Sequence, residues 1–373
     1  MKLKFRNGQF TILILADIHL SGREWRWTKA HIEAALDESD PDLAVLLGDN
    51  VTGRYPGASL EKINGAIMQI GEVFEKRKIP FALVFGNHDH EGLCEFGFTE
   101  RTAKKHMLSL FKGFSFCLAE EGEEMTGVGN YNRLIYDSTG EKLVFNLWFT
   151  DSNPYAEKSE GGGYGYVHAD QLEWYEKKGE ELKKENGGKN MPSFIFQHII
   201  VPEIYEMLNA HPKRVKGSVK GYGSYGEKYY TANTEYITSG KVNEGPCPPD
   251  VKSEQFSSWL KREDILGAFF GHDHVNDFSG EYKGIRLHQV PSAGFYSYGN
   301  RQGSRVVTLF ENDIENYETR ILHFRDICKV KIRNPFIKKH GVHEWLIRWR
   351  PIVYGIGAGV LFLLVLKLKG LLH

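Results

Sequence analysis

The sequence predicts an α/β protein with a mixed sandwich of sheets, and three observations carry that expectation. Short apolar runs rich in β-branched and aromatic residues recur along the chain, helical patterns separate the first three of them, and later runs come in closely spaced pairs. The first run is Thr11-Ile12-Leu13-Ile14-Leu15, the second covers residues 43–47 and the third 81–85. Helical patterns at about 29–37 and 60–77 lie between them, which makes β-α-β-α-β and hence a sheet with helices outside it. Residues 193–196 and 267–270 read as two further buried strands. The runs at 133–136, 143–150, 278–282, 285–289, 305–310 and 317–323 have hairpin-like spacing, with Ser138-Thr139-Gly140 and Lys283-Gly284 at turns, so they predict antiparallel additions. The stretch 204–249 lacks apolar periodicity and is expected to be a long surface excursion over the sheet.

Composition narrows the function. Lys plus Arg (47) and Asp plus Glu (48) nearly cancel in 373 residues, so no global basic field exists to hold phosphates, and no nucleic-acid partner is expected. Cys94, Cys117, Cys247 and Cys328 lie far apart, which suggests neither a disulfide framework nor a zinc ribbon and fits a reducing compartment. The basic N-terminus leads into an apolar run too short for a secretory signal, so that run is read as the first strand. Gly221-Tyr222-Gly223-Ser224-Tyr225-Gly226 matches GxGxxG, but no strand precedes it and no helical pattern follows, so the dinucleotide reading fails on context.

Acidic and imidazole residues gather directly after the expected strands, where α/β folds build their sites. Asp17-Ile18-His19 follows the first, Gly48-Asp49-Asn50 the second, Gly86-Asn87-His88-Asp89 the third, His198 the fourth and Gly271-His272-Asp273-His274 the fifth. One Asp or His after a strand is ordinarily a solvated or capping residue. Five successive groups are another matter: if the strands share one sheet, all of them converge on a single rim with donors enough for two metal ions. Carboxylate, amide oxygen and imidazole without thiolate suit Mn, Fe, Zn or Co. In an extended segment the i and i+2 side chains of Asp17/His19 and His272/His274 project to one side. Gly48, Gly86 and Gly271 each precede a candidate ligand, where the backbone must turn and come close.

These blocks, D-x-H, G-D-x, G-N-H-[DE], a lone H and G-H-x-H, appear in the order found in the calcineurin-like metallophosphoesterases, which the chain resembles over residues 10 to about 325. It looks most like the purple-acid-phosphatase-like branch that lacks the ligand tyrosine, through the segments starting at Gly86, Gly129 (Gly129-Asn130-Tyr131-Asn132), Gly271 and Ala293 (Ala293-Gly294-Phe295-Tyr296). The resemblance implies a four-layer α/β/β/α sandwich. It implies one metal on Asp17, His19, Asp49 and His274, a second on Asp49, Asn87, His198 and His272, and His88 facing substrate. Thr52 stands where purple acid phosphatases have tyrosine, so a di-Mn, Fe/Mn or Fe/Zn centre without charge-transfer colour is expected. The implied reaction is hydrolysis of a phosphate monoester by a hydroxide shared between two cations, with His88 stabilising the phosphoryl charge or protonating the leaving oxygen and Asp89 orienting its ring. A phosphodiesterase acting on cyclic nucleotides or lipid head groups is the rival within enzymes, and a metal-binding scaffold without turnover the rival outside them. His90, Asp151, His168, His211 and His288 are weaker candidates, as are Lys213, Lys220, Tyr222 and Tyr225 in the excursion and the aromatic run at 25–27.

The last residues differ from the rest. Residues 352–366 carry no charge, with Arg348 and Arg350 before them, Lys367 and Lys369 after, and Trp345 and Trp349 nearby. A phosphoesterase domain over 1–328, a basic juxtamembrane linker over 329–350 and a C-terminal transmembrane helix over 351–370 are therefore expected. That topology would make the protein a single-pass membrane protein with its catalytic domain facing the cytoplasm.

Overall fold

The computed structural model describes residues 1–21, 24–52 and 57–328. In chain order they form β1 (Leu3–Lys4), β2 (Gln9–Leu15), α1 (Trp25–Ser39), β3 (Leu43–Leu47), α2 (Leu60–Arg77), β4 (Phe81–Val84), α3 (Glu91–Cys94) and α4 (Glu100–Phe111). There follow β5 (Tyr131–Tyr136), β6 (Leu143–Phe149), α5 (Ala169–Glu185) and β7 (Ser193–Gln197). Next come β8 (Leu208–His211), β9 (Val219–Lys220), β10 (Tyr229–Ala232) and β11 (Ile237–Ser239). Then come α6 (Gln255–Arg262), β12 (Ile265–Phe270), β13 (Ser279–Tyr282), β14 (Ile285–Gln289), β15 (Gly303–Phe310), β16 (Asp313–His323) and α7 (Phe324–Ile327).

The β-α-β-α-β opening folds as its pattern requires, with β2, β3 and β4 parallel, β3 and β4 apolar along their whole length and β2 apolar and buried from Ile12 to Leu15. β15 pairs antiparallel with the free edge of β2, setting Arg305 opposite Ile14, and β16 continues outward to give the order β16-β15-β2-β3-β4. The remaining motif strands are not in this sheet. β7 and β12 lie side by side, parallel, in an eight-stranded sheet of order β1-β5-β6-β7-β12-β14-β13-β11. The expectation of one shared rim is thereby corrected: the five strand ends belong to two sheets.

Strand alternation shows how the sheets face each other. Phe145, Leu147 and Phe149 of β6, Phe194 and Phe196 of β7 and Phe269 of β12 share a core with β2–β4 and with Ile32, Ile67 and Met107 of α1, α2 and α4. The residues between them, Trp148, Ile195, Ala268 and Phe270, turn to the other side and meet Trp174, Tyr175 and Leu182 of α5 and Phe256 and Trp259 of α6. Helices thus cover both outer faces, in the α/β/β/α layering. Each large apolar side chain removed from water contributes about 1.5–3 kcal/mol, so the two cores hold the sandwich closed. The sequence reading passed over α4 and α5. Thr99 caps α4 in a reciprocal box with Thr102, and the inward face of α5 is confined to Gln171, Trp174, Tyr175, Gly179 and Leu182 within a charged helix.

The excursion is more ordered than expected. β8, β10 and β9 form a small antiparallel sheet, β11 joins the edge of the eight-stranded sheet through β13, and Tyr205, Met207 and Tyr230 are buried. Tyr205, Tyr225 and Tyr230 pack there beside Ile204, Met207 and Leu208.

The expected membrane anchor is also corrected. Among the described residues no helix is long and apolar enough to cross a membrane. The longest of them, α2, is 18 residues and amphipathic, with Glu61, Lys62, Glu72, Glu75, Lys76 and Arg77 among its residues. A C-terminal transmembrane helix, and with it a single-pass topology facing the cytoplasm, is not supported. The linker at 329–350 and the stretch 351–370 lie outside the described residues.

Candidate metal centre

The carboxyl ends of β2, β3 and β4 meet those of β7 and β12 at the seam between the two sheets. Donor atoms of Asp17, His19, Asp49 and His274 all lie within 4.8 Å of one another. His19 Nε2 is 3.2 Å from His274 Nε2 and 3.6 Å from Asp49 Oδ2, and His274 Nε2 is 3.3 Å from Asp17 Oδ1. On the other side of Asp49, His198 Nε2 approaches Oδ2 to 3.3 Å, and the rings of His198 and His272 meet edge to face at 5.3 Å. Asp49 Oδ2 therefore stands between two imidazole groups.

The backbone here is not extended, which corrects the reason given for the i and i+2 pairs. Asp17, His19, Asp49 and His272 all have positive φ, at 52°, 46°, 50° and 70°. Such conformations cost about 1–3 kcal/mol each in a non-glycine residue and persist only where surrounding contacts impose them. Here His19 N donates to the Asp49 carbonyl at 2.8 Å, Asp17 N to the Gly48 carbonyl at 3.1 Å, and Gly271 N to the His198 carbonyl at 3.1 Å. The glycines admit this crowding: a Cβ on Gly48 would sit 2.6 Å from His198 Nδ1, and one on Gly271 would sit 2.9 Å from Asp17 Oδ2. At Gly86 it would sit 2.2 Å from Asp49 Oδ1 and 2.5 Å from the Asp49 backbone nitrogen. Gly86→Ala is therefore expected to destabilise the protein by about 1–3 kcal/mol through overpacking, lowering the melting temperature by roughly 2–10 °C. An unchanged melting curve would count against this account of the turn.

Asp17, Asp49, Asn87 and His198 each have one side-chain atom anchored and another left over. Asp17 Oδ2 accepts from His272 N at 3.0 Å, Asp49 Oδ1 accepts from His88 N at 2.8 Å, and His198 Nδ1 lies 2.9 Å from the Leu47 carbonyl. A carbonyl can only accept, so His198 donates from Nδ1 and turns its Nε2 toward Asp49. Asp17 Oδ1, Asp49 Oδ2, Asn87 Oδ1, His198 Nε2 and His272 Nε2 remain buried without an aligned hydrogen-bond partner. An unsatisfied buried polar atom costs about 1–3 kcal/mol, and five at one seam form a donor set suited to borderline divalent cations. The residues fit the metals that the sequence reading implies.

Electrostatics agree with that fit. Burial lowers the His19 pKa to about 4 and that of His272 to about 3, keeping both imidazoles neutral and their lone pairs free. Burial acts the same way on His198, but the Asp49 and Asp17 carboxylates outweigh it and raise that pKa to about 10. Without a cation, a proton fills the gap between His198 and Asp49; a cation there competes with that proton.

His88 lies at the mouth, its side chain 41% exposed, with Nδ1 2.9 Å from Glu91 Oε2. Asp89 does not orient it. The Asp89 carboxylate is buried and accepts from the backbone nitrogens of Gly86, Asp49, Asn50 and Val51 at 2.7–3.2 Å, tying the turn after β4 to the turn after β3. Burial, followed by the Asp49 charge, pushes its pKa up to about 7. Glu91, at the start of α3, occupies the orienting position, and its i+3 spacing from His88 is the signal that could have found it. Sequence reasoning also missed Tyr155, whose hydroxyl accepts from Asn87 Nδ2 at 3.3 Å and donates to Glu91 Oε1 at 3.1 Å. Tyr164, set edge to face against His272 with ring centres 4.2 Å apart, was missed as well.

The weaker candidates have other partners. Asp151 is buried against Lys104 at 2.7 Å, His211 faces Thr231 at 2.9 Å, and His288 lies between Tyr317 and Ser279. His168 precedes α5 and stacks on Tyr166, His90 precedes α3, Tyr225 stacks on Tyr205, and Trp25 packs against the main core. Lys213 and Lys220 are exposed.

Two facing sheets with a carboxylate–imidazole cluster at their carboxyl ends define a metallophosphatase-type fold. A sequence model of the calcineurin-like phosphoesterases matches residues 10–276, and the chain belongs to that family. It is 28% identical over 339 residues to an Arabidopsis thaliana protein named Probable inactive purple acid phosphatase 29, covering 83% of this chain and 79% of that one. It is 27% identical over 310 residues to Phosphatase DCR2 of Saccharomyces cerevisiae, covering 78% of this chain and 48% of that one. A solved dimetal phosphatase from Danio rerio aligns at 12% identity with a TM-score of 0.49, over 84% of this chain and 99% of that one. The resemblance drawn from the motifs, including its purple-acid-phosphatase-like character, is borne out.

Proposed function

We propose that the protein is a metal-dependent hydrolase of phosphate monoesters, with its site at the seam between the sheets. The observation that carries this reading is the set of five buried, unpartnered donor atoms on Asp17, Asp49, Asn87, His198 and His272. In this reading Asp17, His19, Asp49 and His274 hold one cation and Asp49, Asn87, His198 and His272 a second, with Mn, Fe and Zn suited to the donors. When bound, two such cations supply the Lewis acidity that activates water and polarises phosphoryl oxygens.

The chain's own groups do the rest. The Leu47 carbonyl keeps His198 Nε2 turned inward, the His88 amide fixes Asp49, and Tyr155 orients the Asn87 amide so that its oxygen faces the site. The His88 ring protonates the leaving oxygen. Burial works against its protonated form, but the Glu91 hydrogen bond and the Asp49 charge raise its pKa above the ordinary value. A raised pKa keeps the acid protonated to higher pH, so activity should fall as pH climbs through it. Glu91→Gln removes the stabilising charge and should move the alkaline limb of the pH–rate profile down by about half a pH unit, given ~0.5–1 kcal/mol for a partly exposed ion pair. An alkaline limb that stays in place would remove Glu91 from this role.

The name of the Arabidopsis relative favours a second reading, a metal-binding protein without turnover. Loading the protein with Mn and assaying a chromogenic monoester beside a diester tests both. Monoester turnover in excess of diester turnover supports the proposal, the reverse order makes the protein a phosphodiesterase, and metal uptake with neither activity leaves the scaffold reading.

A further inference from the structure

We infer that the mouth of this site selects phosphate esters whose leaving group carries a planar aromatic ring, a phenol or a nucleobase, and that Tyr164 and Tyr222 receive that ring. The inference rests on the phosphoesterase reading of the seam and names the class of ester that it takes.

Three tyrosines from two distant segments line one side of the mouth. Tyr164 touches His272 edge to face, Tyr155 touches Asn87 and Glu91 through its hydroxyl, and Tyr155 and Tyr164 lie nearly parallel, 23° apart with centres 6.2 Å apart. Tyr222, contributed by the excursion, continues the row at 5.2 Å from Tyr164. The row therefore starts on two candidate ligands of the second cation and runs outward to solvent, where Tyr155 is 45% and Tyr222 40% exposed. A phosphoryl group held at the seam would send its leaving group along that row.

The row is built rather than incidental. Gly161, Gly162 and Gly163 take φ of 110°, 71° and 86° in succession, a turn that side-chain-bearing residues rarely adopt, and deliver Tyr164 to His272. Asp250 lies beside this turn and bonds the one bearing Tyr222. Its Oδ1 accepts from both the backbone nitrogen and the hydroxyl of Ser224 at 2.6 Å, and a Cβ on Gly163 would stand 3.0 Å from its Oδ2. Tyr222 N donates to the Tyr205 hydroxyl at 3.1 Å, and the Tyr205 ring stacks on Tyr225 with centres 3.7 Å apart. Tyrosine offers a large flat surface with little rotamer entropy to lose, and pre-organisation preserves that advantage for a ligand.

The test measures binding and turnover separately on the metal-loaded full chain. Calorimetry with phenylphosphonate against methylphosphonate, and with adenosine monophosphate against ribose 5-phosphate, reads the preference for a ring. The aromatic member of at least one pair should bind about two- to tenfold more tightly, the range of a favourable aromatic contact. Tyr222→Ala should erase that preference while the non-aromatic member binds as before, and Tyr222→Phe should keep it. A preference for phenylphosphonate alone assigns the wall to phenolic esters, and one for the nucleotide alone assigns it to nucleoside phosphates. Equal affinities within both pairs, no binding of any probe, or a preference untouched by Tyr222→Ala overturns the inference. Preference in binding without hydrolysis of any ester leaves the wall standing and removes the phosphoesterase reading; hydrolysis without preference does the opposite.

Discussion

Asp49→Asn is expected to reduce turnover by more than about 10²-fold and to lower the metal content from two ions per chain. Losing a group that only hydrogen-bonds a metal ligand already costs about 10–100-fold in metal affinity or activity, and Asp49 stands between the two imidazoles, 3.6 Å from His19 Nε2 and 3.3 Å from His198 Nε2. Asparagine has nearly the same shape and can still accept the His88 amide hydrogen through its oxygen, so the fold has no reason to fail. Its amide nitrogen then faces the imidazoles with hydrogens in place of a lone pair. The His198 pKa of about 10, owed first among the opposing charges to Asp49, should fall toward its ordinary range. Elemental analysis of the dialysed variant, beside its circular dichroism and monoester turnover, checks the result. Two ions retained per folded chain would sink the shared-ligand assignment.

His88→Ala should do the converse, retaining both ions while turnover falls by about 10²–10⁴-fold, the contribution of a positioned general acid. The separation is possible because Asp49 is held by the backbone nitrogen of His88 and not by its ring. The loss should be largest for alkyl esters, whose leaving alkoxide needs the proton most, and small for nitrophenyl esters, whose leaving group is stable as an anion. Equal losses on both would replace the acid role with plain electrostatic stabilisation of the phosphoryl group.

Much of this was legible because it is local. The runs at 11–15, 43–47 and 81–85 are apolar enough to be read as buried strands, and each is followed within a few residues by its candidate ligands. What could not be read was which sheet each strand joins. β7 and β12 look like β2 and β3 in composition, and only the alternation of Phe194, Ile195 and Phe196 between two cores separates them. Asp89 illustrates the same limit at the site: adjacency in sequence suggested contact with His88, whereas its carboxylate turns inward to four backbone amides and leaves the ring to Glu91. Tyr155 and Tyr164 escaped notice because they reach Asn87 and His272 from loops far away in the chain. The reading of an anchor at 351–370 came from local hydropathy alone, with no described helix to support it.

The pairing of β2 with β15 has a consequence in time. Register sets Ile14 against Arg305, so the partner strand emerges about 290 residues later. At the ~5–20 residues per second of synthesis, that is a delay of roughly 15–60 s. Throughout it, one edge of a strand carrying Phe10, Ile12, Leu13, Ile14 and Leu15 has no mate, although β3 and β4 are already available on the other side. Open apolar edges invite pairing with other chains. Among the described strands, β2, whose end carries Asp17 and His19, is therefore the one that waits longest on the ribosome for its neighbour.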